Sequence, residues 1–437
     1  MGTETQGGGF YGWRLLFFLW VVYTIPVGFV FYGPPVLYPF MIEATGWSRG
    51  EIMVGFAAMG LCGGLTSPII AWMIGRLGAR LTLFIGGVTA AVVTSLIGLV
   101  GHIYPVYLIL CALLGFGTMA ASMIPVQTVI VFWFSARRAL ALGVVLGGGA
   151  IGGFFAPQIV NAAVLGAGGD WRIGWFIIAV ASVIGAVVAI VTVRNRPADM
   201  GQYADGLPPD EAEAMGPRTS RATRTYRTPV SWTVRDALKT RALWFLVVGA
   251  FGSFFIWEII LSQGPLHLRD RGFDPTGAAF LYTLPVLVSI LGRFAVAALG
   301  DIIEPRFLFA CSTLCLLVGG ILFWFVSPDA MWVAYLYALL AGVGFGALYI
   351  CEVTMVGNYW GPEAFAGIRG VIAPVGVLFG AMIAPLAGYL YDLQGSYFTI
   401  LLVSWIAAIV GFVAILLCAP PRPKGEADAT THGDGLF

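Results

Sequence analysis

Apolar residues occupy this chain in long blocks, interrupted by short clusters of Gly, Pro, Asp or Arg. The blocks lie near 14–41, 50–73, 81–101, 104–133, 138–163 and 172–193, and again near 242–264, 276–300, 306–326, 331–358, 366–390 and 396–419. Each reaches the roughly 20 residues that an α-helix needs to cross a bilayer's hydrocarbon layer. Blocks this long and this evenly apolar lack a solvated face, so the pattern predicts an all-α integral membrane protein with 12 transmembrane helices. Between the two sets of six, residues 194–240 are rich in Arg, Pro, Asp, Glu and Thr and show no apolar periodicity. They read as a solvated cytoplasmic linker. The expected domains are a six-helix bundle over 1–193, this linker over 194–240, and a second six-helix bundle over 241–437 that ends in a short cytoplasmic tail.

Composition supports the same solvent. Of 437 residues, 59% are hydrophobic and 10% charged, against about 25% charged in ordinary soluble domains. The net charge of +1 provides no field for nucleic acid or another polyanion. Charge matters by position instead. With both termini inside, the cytoplasmic loops hold Arg14, Arg76, Arg80, Arg137, Arg138, the linker arginines, Arg306, Arg369 and Arg422, whereas the outer loops keep Arg49, Arg172, Arg269 and Arg271. Basic residues favour the cytoplasmic face, so this asymmetry supports an even number of spans. All six cysteines fall inside apolar segments with no metal-type spacing, so neither disulfides nor zinc are expected. The stretch ahead of the first block lacks the pattern of a cleaved signal peptide.

The two sets of six also look like copies. GWSRGE at Gly46–Glu51 and GFDPTG at Gly272–Gly277 both open a helix, 226 positions apart. The first carries Ser48 as N-cap with Glu51 completing a capping box; the second carries Asp274 as N-cap with Pro275 at the first helical position. Arg80 and Arg306 repeat at 226, Trp133 and Trp360 at 227, and Pro157 and Pro385 at 228. A duplicated six-helix unit accounts for these matches.

FYGWRLL before span 1, GWSRGE before span 2, FWFSARRALALGVVLGGGAIGG across spans 4 and 5, and HLRDRGFDPTGAA before span 8 together resemble the major facilitator superfamily. Within it they are similar to the branch of monocarboxylate porters and oxalate:formate antiporters. The resemblance implies two six-helix halves that carry small organic anions by alternating access around a central site. It also implies charge contacts that gate the cytoplasmic side, falling on Arg76, Arg80, Asp301 and Arg306. The superfamily's usual Asp in the loop between spans 2 and 3 is replaced here by Gly75, whereas the second half keeps Asp301.

Three ionisable side chains fall deep in the predicted spans: Glu258, Arg293 and Glu352. Each costs about 2.5–3.5 kcal/mol at a helix centre, so each is expected to face a partner or a water-filled cavity. In the resembled branch an arginine at the place of Arg293 binds the substrate carboxylate, for which a planar fork is suited; the plainer reading is an ion pair locking two helices. Glu352, at similar depth, either pairs with Arg293 as a proton switch or joins it in a purely structural bridge. Glu258 either loads protons from outside or snorkels to the interface. Tyr349 matches a substrate-contacting aromatic of oxalate-type relatives, and Phe345 lies one turn earlier on the same face; both also suit helix packing. Tyr23 and Tyr32 in span 1, with Thr118, Ser122 and Gln127 in span 4, either add neutral hydrogen bonds to substrate or pack. Span 11 has no cation beyond Arg369 near its start, where oxalate-type relatives carry a midspan lysine, and a single deep cation favours a monocarboxylate.

The glycines of span 5, Gly143 to Gly153, lie in an apolar helix and suit close helix packing rather than a phosphate loop. No GxxxxGK[ST] loop is present, so nucleotide-driven pumping is not indicated. The expected protein is a transporter, not an enzyme. It needs no cofactor or metal, carries a small monocarboxylate with H+, and works as a monomer in a bacterial cytoplasmic (inner) membrane. Two other readings are a proton-coupled exporter of amphipathic drugs and a transport-inactive sensor.

Overall fold

Every regular element is helical among the residues that the computed structural model describes, which are 10–134, 138–206, 225–300 and 302–421. Among them, eleven helices are long and apolar enough to cross a membrane. A twelfth pass forms where α3 (Arg49–Leu65) continues through a turn at Thr66 into the first turns of α4 (Ser67–Val100). The chain then reverses at Gly78, whose φ of 83° and ψ of 160° are open to glycine and strained for any residue with a Cβ. The same device recurs at Gly361 (φ 78°, ψ 170°), which divides Met331–Gln394 into spans 10 and 11. These two glycines make the turns so tight that helix runs through on either side.

The remaining passes follow the predicted blocks within a few residues. Span 1 is α1 (Gly12–Ile25) and α2 (Pro34–Thr45), numbered with α3 and α4 in chain order and joined by a π-helical stretch, Pro26–Tyr32. Span 4 is α5 (Tyr104–Ala120) and α6 (Met123–Trp133), broken at Ser122 (φ −127°, ψ −119°). Spans 5 and 6 are α7 (Arg138–Gly166) and α8 (Trp171–Thr192). Spans 7, 8 and 9 are α9 (Arg241–Asp270), α10 (Pro275–Leu299) and α11 (Pro305–Trp324). The 64-residue helix Met331–Gln394 is α12, and α13 (Phe398–Leu417) is span 12. The predicted caps form: Ser48 Oγ accepts from Glu51 N while Glu51 accepts in return from Ser48 N, and the Asp274 carboxylate accepts from Thr276 N and Gly277 N.

The chain forms two compact units. The first comprises residues 1–220 with 261–287 and 384–395; the second comprises 221–260, 288–383 and 396–437. Inside the first, a core around Leu15, Trp133, Phe134 and Val145 is fully buried, and Trp133 Nε1 donates to the Arg194 carbonyl at 3.0 Å. Gly148 and Gly152 of span 5 lie directly against Trp20 and Thr24 of α1, the close packing expected of that glycine series. In the second unit, part of the interspan segment is anchored: Thr228 N donates to Asn358 O at 2.8 Å, and Tyr226 N donates to Glu304 Oε2 at 3.0 Å.

Backbones touch where α10 crosses span 10. A Cβ on Gly346 would overlap the Ser289 carbonyl, and one on Gly292 would overlap that of Val343. Overpacking such a contact typically costs about 1–3 kcal/mol. Gly346→Leu is therefore expected to lower the thermal midpoint of the detergent-solubilised protein by several degrees, whereas Gly60→Leu, at a position with nothing within 4 Å, leaves it nearly unchanged. Equal midpoints for the two variants would contradict this crossing.

Candidate functional site

The second unit gathers most of the deep charge. Arg293 projects from α10 one residue after Gly292, so it emerges beside residues 343–347 of span 10 and remains half-buried. One turn further along span 10 come Tyr349 and then Glu352, which is 7% exposed. The Glu352 carboxylate accepts a 2.5 Å hydrogen bond from Arg369 Nη1. That guanidinium also lies 6.0 Å from the centre of the Tyr349 ring. Arg369, read from sequence as a charge at the start of span 11, thus reaches inward to Glu352. The hairpin at Gly361 explains it: Glu352 and Arg369 lie nine and eight residues from the turn, at matching depth on antiparallel helices. The sequence reading offered Glu352 a pair with Arg293; the ion pair seen here is with Arg369, a second cation on a level with Glu352.

Glu258 lies near the middle of α9, twelve residues from its end at Asp270, or about 18 Å along the axis. Its carboxyl carbon would be 4.0 Å from a Cβ on Gly380, so it faces span 11. Beside it, Trp257 stacks on Phe345 with centroids 3.7 Å apart and planes 6° from parallel, covering one face of the predicted aromatic wall. Tyr349 remains 38% exposed.

The neutral candidates belong to the first unit. Tyr23 packs at the surface of Gly149, and Tyr32, in the π-helical stretch, lies against Gly153. Thr118 Oγ1 donates to its own helix at Leu114 O, 2.7 Å away, and Ser122 is the buried residue at which span 4 breaks. Gln127 follows on α6, half-buried. Tyr32 and Ser122 therefore sit at two irregular points of this unit, a setting in which π-bulges and broken helices expose backbone polar groups for binding. The gating candidates scatter. Arg80 is tied to the end of span 6, its Nε donating to Ile190 O at 2.7 Å and its backbone N to Asn195 Oδ1 at 2.9 Å. Arg76 is exposed. Arg306 lies over the Phe307 ring at 4.6 Å, and Asp301 falls outside the described residues.

A different charge cluster, unmarked in the sequence reading, ties helix ends together in the first unit. Arg49 donates from Nη1 and Nη2 to both carboxylate oxygens of Asp270, each at 2.7 Å, and its guanidinium lies 3.7 Å from the centre of the Tyr391 ring. The Asp392 carboxylate accepts from the backbone N–H groups of Arg49 and Gly50 at 3.0 and 2.7 Å, filling the donors that open α3. Arg269 reaches Glu43 at 3.3 Å. Burial draws the adjoining Arg271 below the usual arginine range, against the opposing pull of Asp270. The available signal was the concentration of charge at helix ends in a chain that is otherwise nearly uncharged.

Among the described residues, eleven long apolar helices and the pass made by α3 and the start of α4, with a few ionisable groups held deep among them, define a polytopic membrane protein. The family model of the Major Facilitator Superfamily matches residues 21–373, and the chain belongs to that superfamily. Monocarboxylate transporter 13 of Rattus norvegicus is 27% identical over 340 residues, covering 76% of this chain and 71% of the relative. The hexuronate transporter of Bacillus subtilis is 22% identical over 397 residues, covering 85% of each. A crystal structure of a D-xylose–proton symporter superposes with a TM-score of 0.69 at 14% identity, covering 98% of this chain and 99% of that one. Membership of this superfamily, with relatives that are carriers, makes the protein a membrane transporter rather than an enzyme.

Proposed function

We propose that the protein carries small monocarboxylate anions of the lactate, pyruvate or acetate kind by alternating access, coupled to protons. What supports this reading is Arg293: a guanidinium set into an apolar helix, half-buried, one residue after the point where that helix meets Val343 and Ala347 of span 10, the span that carries Phe345 and Tyr349. A buried guanidinium is stabilised by a two-oxygen acceptor, and aromatic neighbours leave an anion few other partners. Glu352 and Glu258 are the proton-coupling groups of this reading; at Glu258 an ionised carboxylate is costly at such depth, and a bound proton removes that cost. Sequences 1–193 and 241–437 act as the two halves, with both termini and the segment between on the cytoplasmic side that their arginines favour.

Uptake of radiolabelled organic acids into proteoliposomes, with and without an inward proton gradient, tests the reading. Lactate or acetate uptake stimulated several-fold by the gradient is expected. Failure of every monocarboxylate in the panel would overturn it. A second reading is a proton-coupled exporter of amphipaths, for which the aromatic residues near Glu258, Trp257 and Phe345, supply the apolar setting that a flat hydrophobic cation needs. Such an exporter tolerates loss of Arg293.

A further inference from the structure

We propose that Glu352 is a built-in carboxylate that occupies Arg369, and that this pair restricts the cargo to one negative charge. The inference rests on the anion-carrier reading above. Arg293 stands beside residues 343–347, and Glu352 is five residues past Ala347, a rise of about 7.5 Å. Two guanidinium groups, those of Arg293 and Arg369, therefore fall within reach of one stretch of span 10. Tyr349 lies between them along the helix and remains partly exposed. The Arg369 side chain is itself 25% accessible, whereas the Glu352 side chain is 9% accessible. The pair is thus covered more on its acidic side than on its basic side.

With Glu352 ionised, Arg369 already has its carboxylate, and a second one arriving on a substrate would meet a neutralised group and a like charge. Removing the internal charge while keeping its shape leaves Arg369 able to take a second carboxylate in the same two-oxygen manner. Specificity of this kind works by rejecting the wrong ligand as well as by attracting the right one. The ligand class that distinguishes the two states is the short dicarboxylate.

The test is counterflow in proteoliposomes, an exchange measurement that does not depend on proton-driven accumulation. Wild-type protein is expected to exchange labelled lactate and to leave labelled malonate and succinate at background. Glu352→Gln is expected to raise dicarboxylate exchange at least about tenfold, and the double variant Glu352→Gln with Arg369→Gln to lose that gain. The charge-exchanged variant Glu352→Arg with Arg369→Glu keeps the pair and is expected to remain selective for monocarboxylates; it also covers the case in which the single variant fails to fold. A Glu352→Gln protein that exchanges lactate but no dicarboxylate overturns the inference and leaves the anion-carrier reading intact. Dicarboxylate exchange by the charge-exchanged variant, or its persistence in the double variant, also overturns it. Wild-type protein that exchanges no monocarboxylate removes the reading and the inference together.

Discussion

Arg49→Ala is expected to speed hydrogen exchange in residues 43–51 and 386–394 by roughly a hundredfold. The side chain makes two charge-assisted bonds of 2.7 Å to Asp270 and stacks over Tyr391. The pair is partly shielded, with side-chain exposures of 16% and 31%. Hydrogen bonds to charged groups contribute about 1.5–3 kcal/mol, and roughly 3 kcal/mol for the cluster corresponds to about a hundredfold in an opening equilibrium. A freely exposed surface pair would contribute far less. Asp392 reinforces the same closure through the backbone of Arg49 and Gly50. Gly388 meets that backbone so closely that a Cβ there would lie 2.8 Å from it, and any side chain would hold the ends apart. In the proposed transport cycle these helix ends part, and the strength of the cluster bears on how readily they do. The exchanged pair Arg49→Asp with Asp270→Arg is expected to recover most of the protection. Unchanged exchange in Arg49→Ala would show that the cluster holds nothing together.

Legibility followed the range of the interactions involved. The twelve passes could be read because lipid imposes length and apolarity on each segment independently of the others. The caps at Ser48 and Asp274 could be read because their donors and acceptors lie within three residues. The turn at Gly78 fell in a predicted loop, but the near-continuous helix across it is a backbone property that no hydropathy pattern records. The π-helical stretch at Pro26–Tyr32 and the break at Ser122 were hidden for a similar reason, since both are as apolar as regular helix. Among the charges, Arg293, Glu258 and Glu352 were marked by their rarity in apolar surroundings. Arg369 was misjudged because depth was counted from the start of its own span, whereas the Gly361 hairpin sets it level with Glu352. The Arg49, Asp270 and Asp392 cluster was missed because its members are separated by 221 and 343 positions. Only the folded chain brings them together.

Arg293→Ala is expected to abolish saturable monocarboxylate uptake, with a loss of about 2–5 kcal/mol in binding, the usual cost of truncating one partner of a buried charged hydrogen bond. That corresponds to a factor from about 30 to several thousand. Arg293→Lys keeps the charge but loses the planar fork, so an intermediate affinity is expected. Neither change touches the helix crossing at Gly292 and Gly346, so the thermal midpoint should stay close to that of the wild type. The most direct test of the proposed anion site is calorimetric titration of purified protein with lactate, pyruvate and acetate. The predicted result is saturable binding by the wild type, weaker binding by Arg293→Lys and none measurable by Arg293→Ala; undiminished binding by a folded Arg293→Ala protein would contradict it.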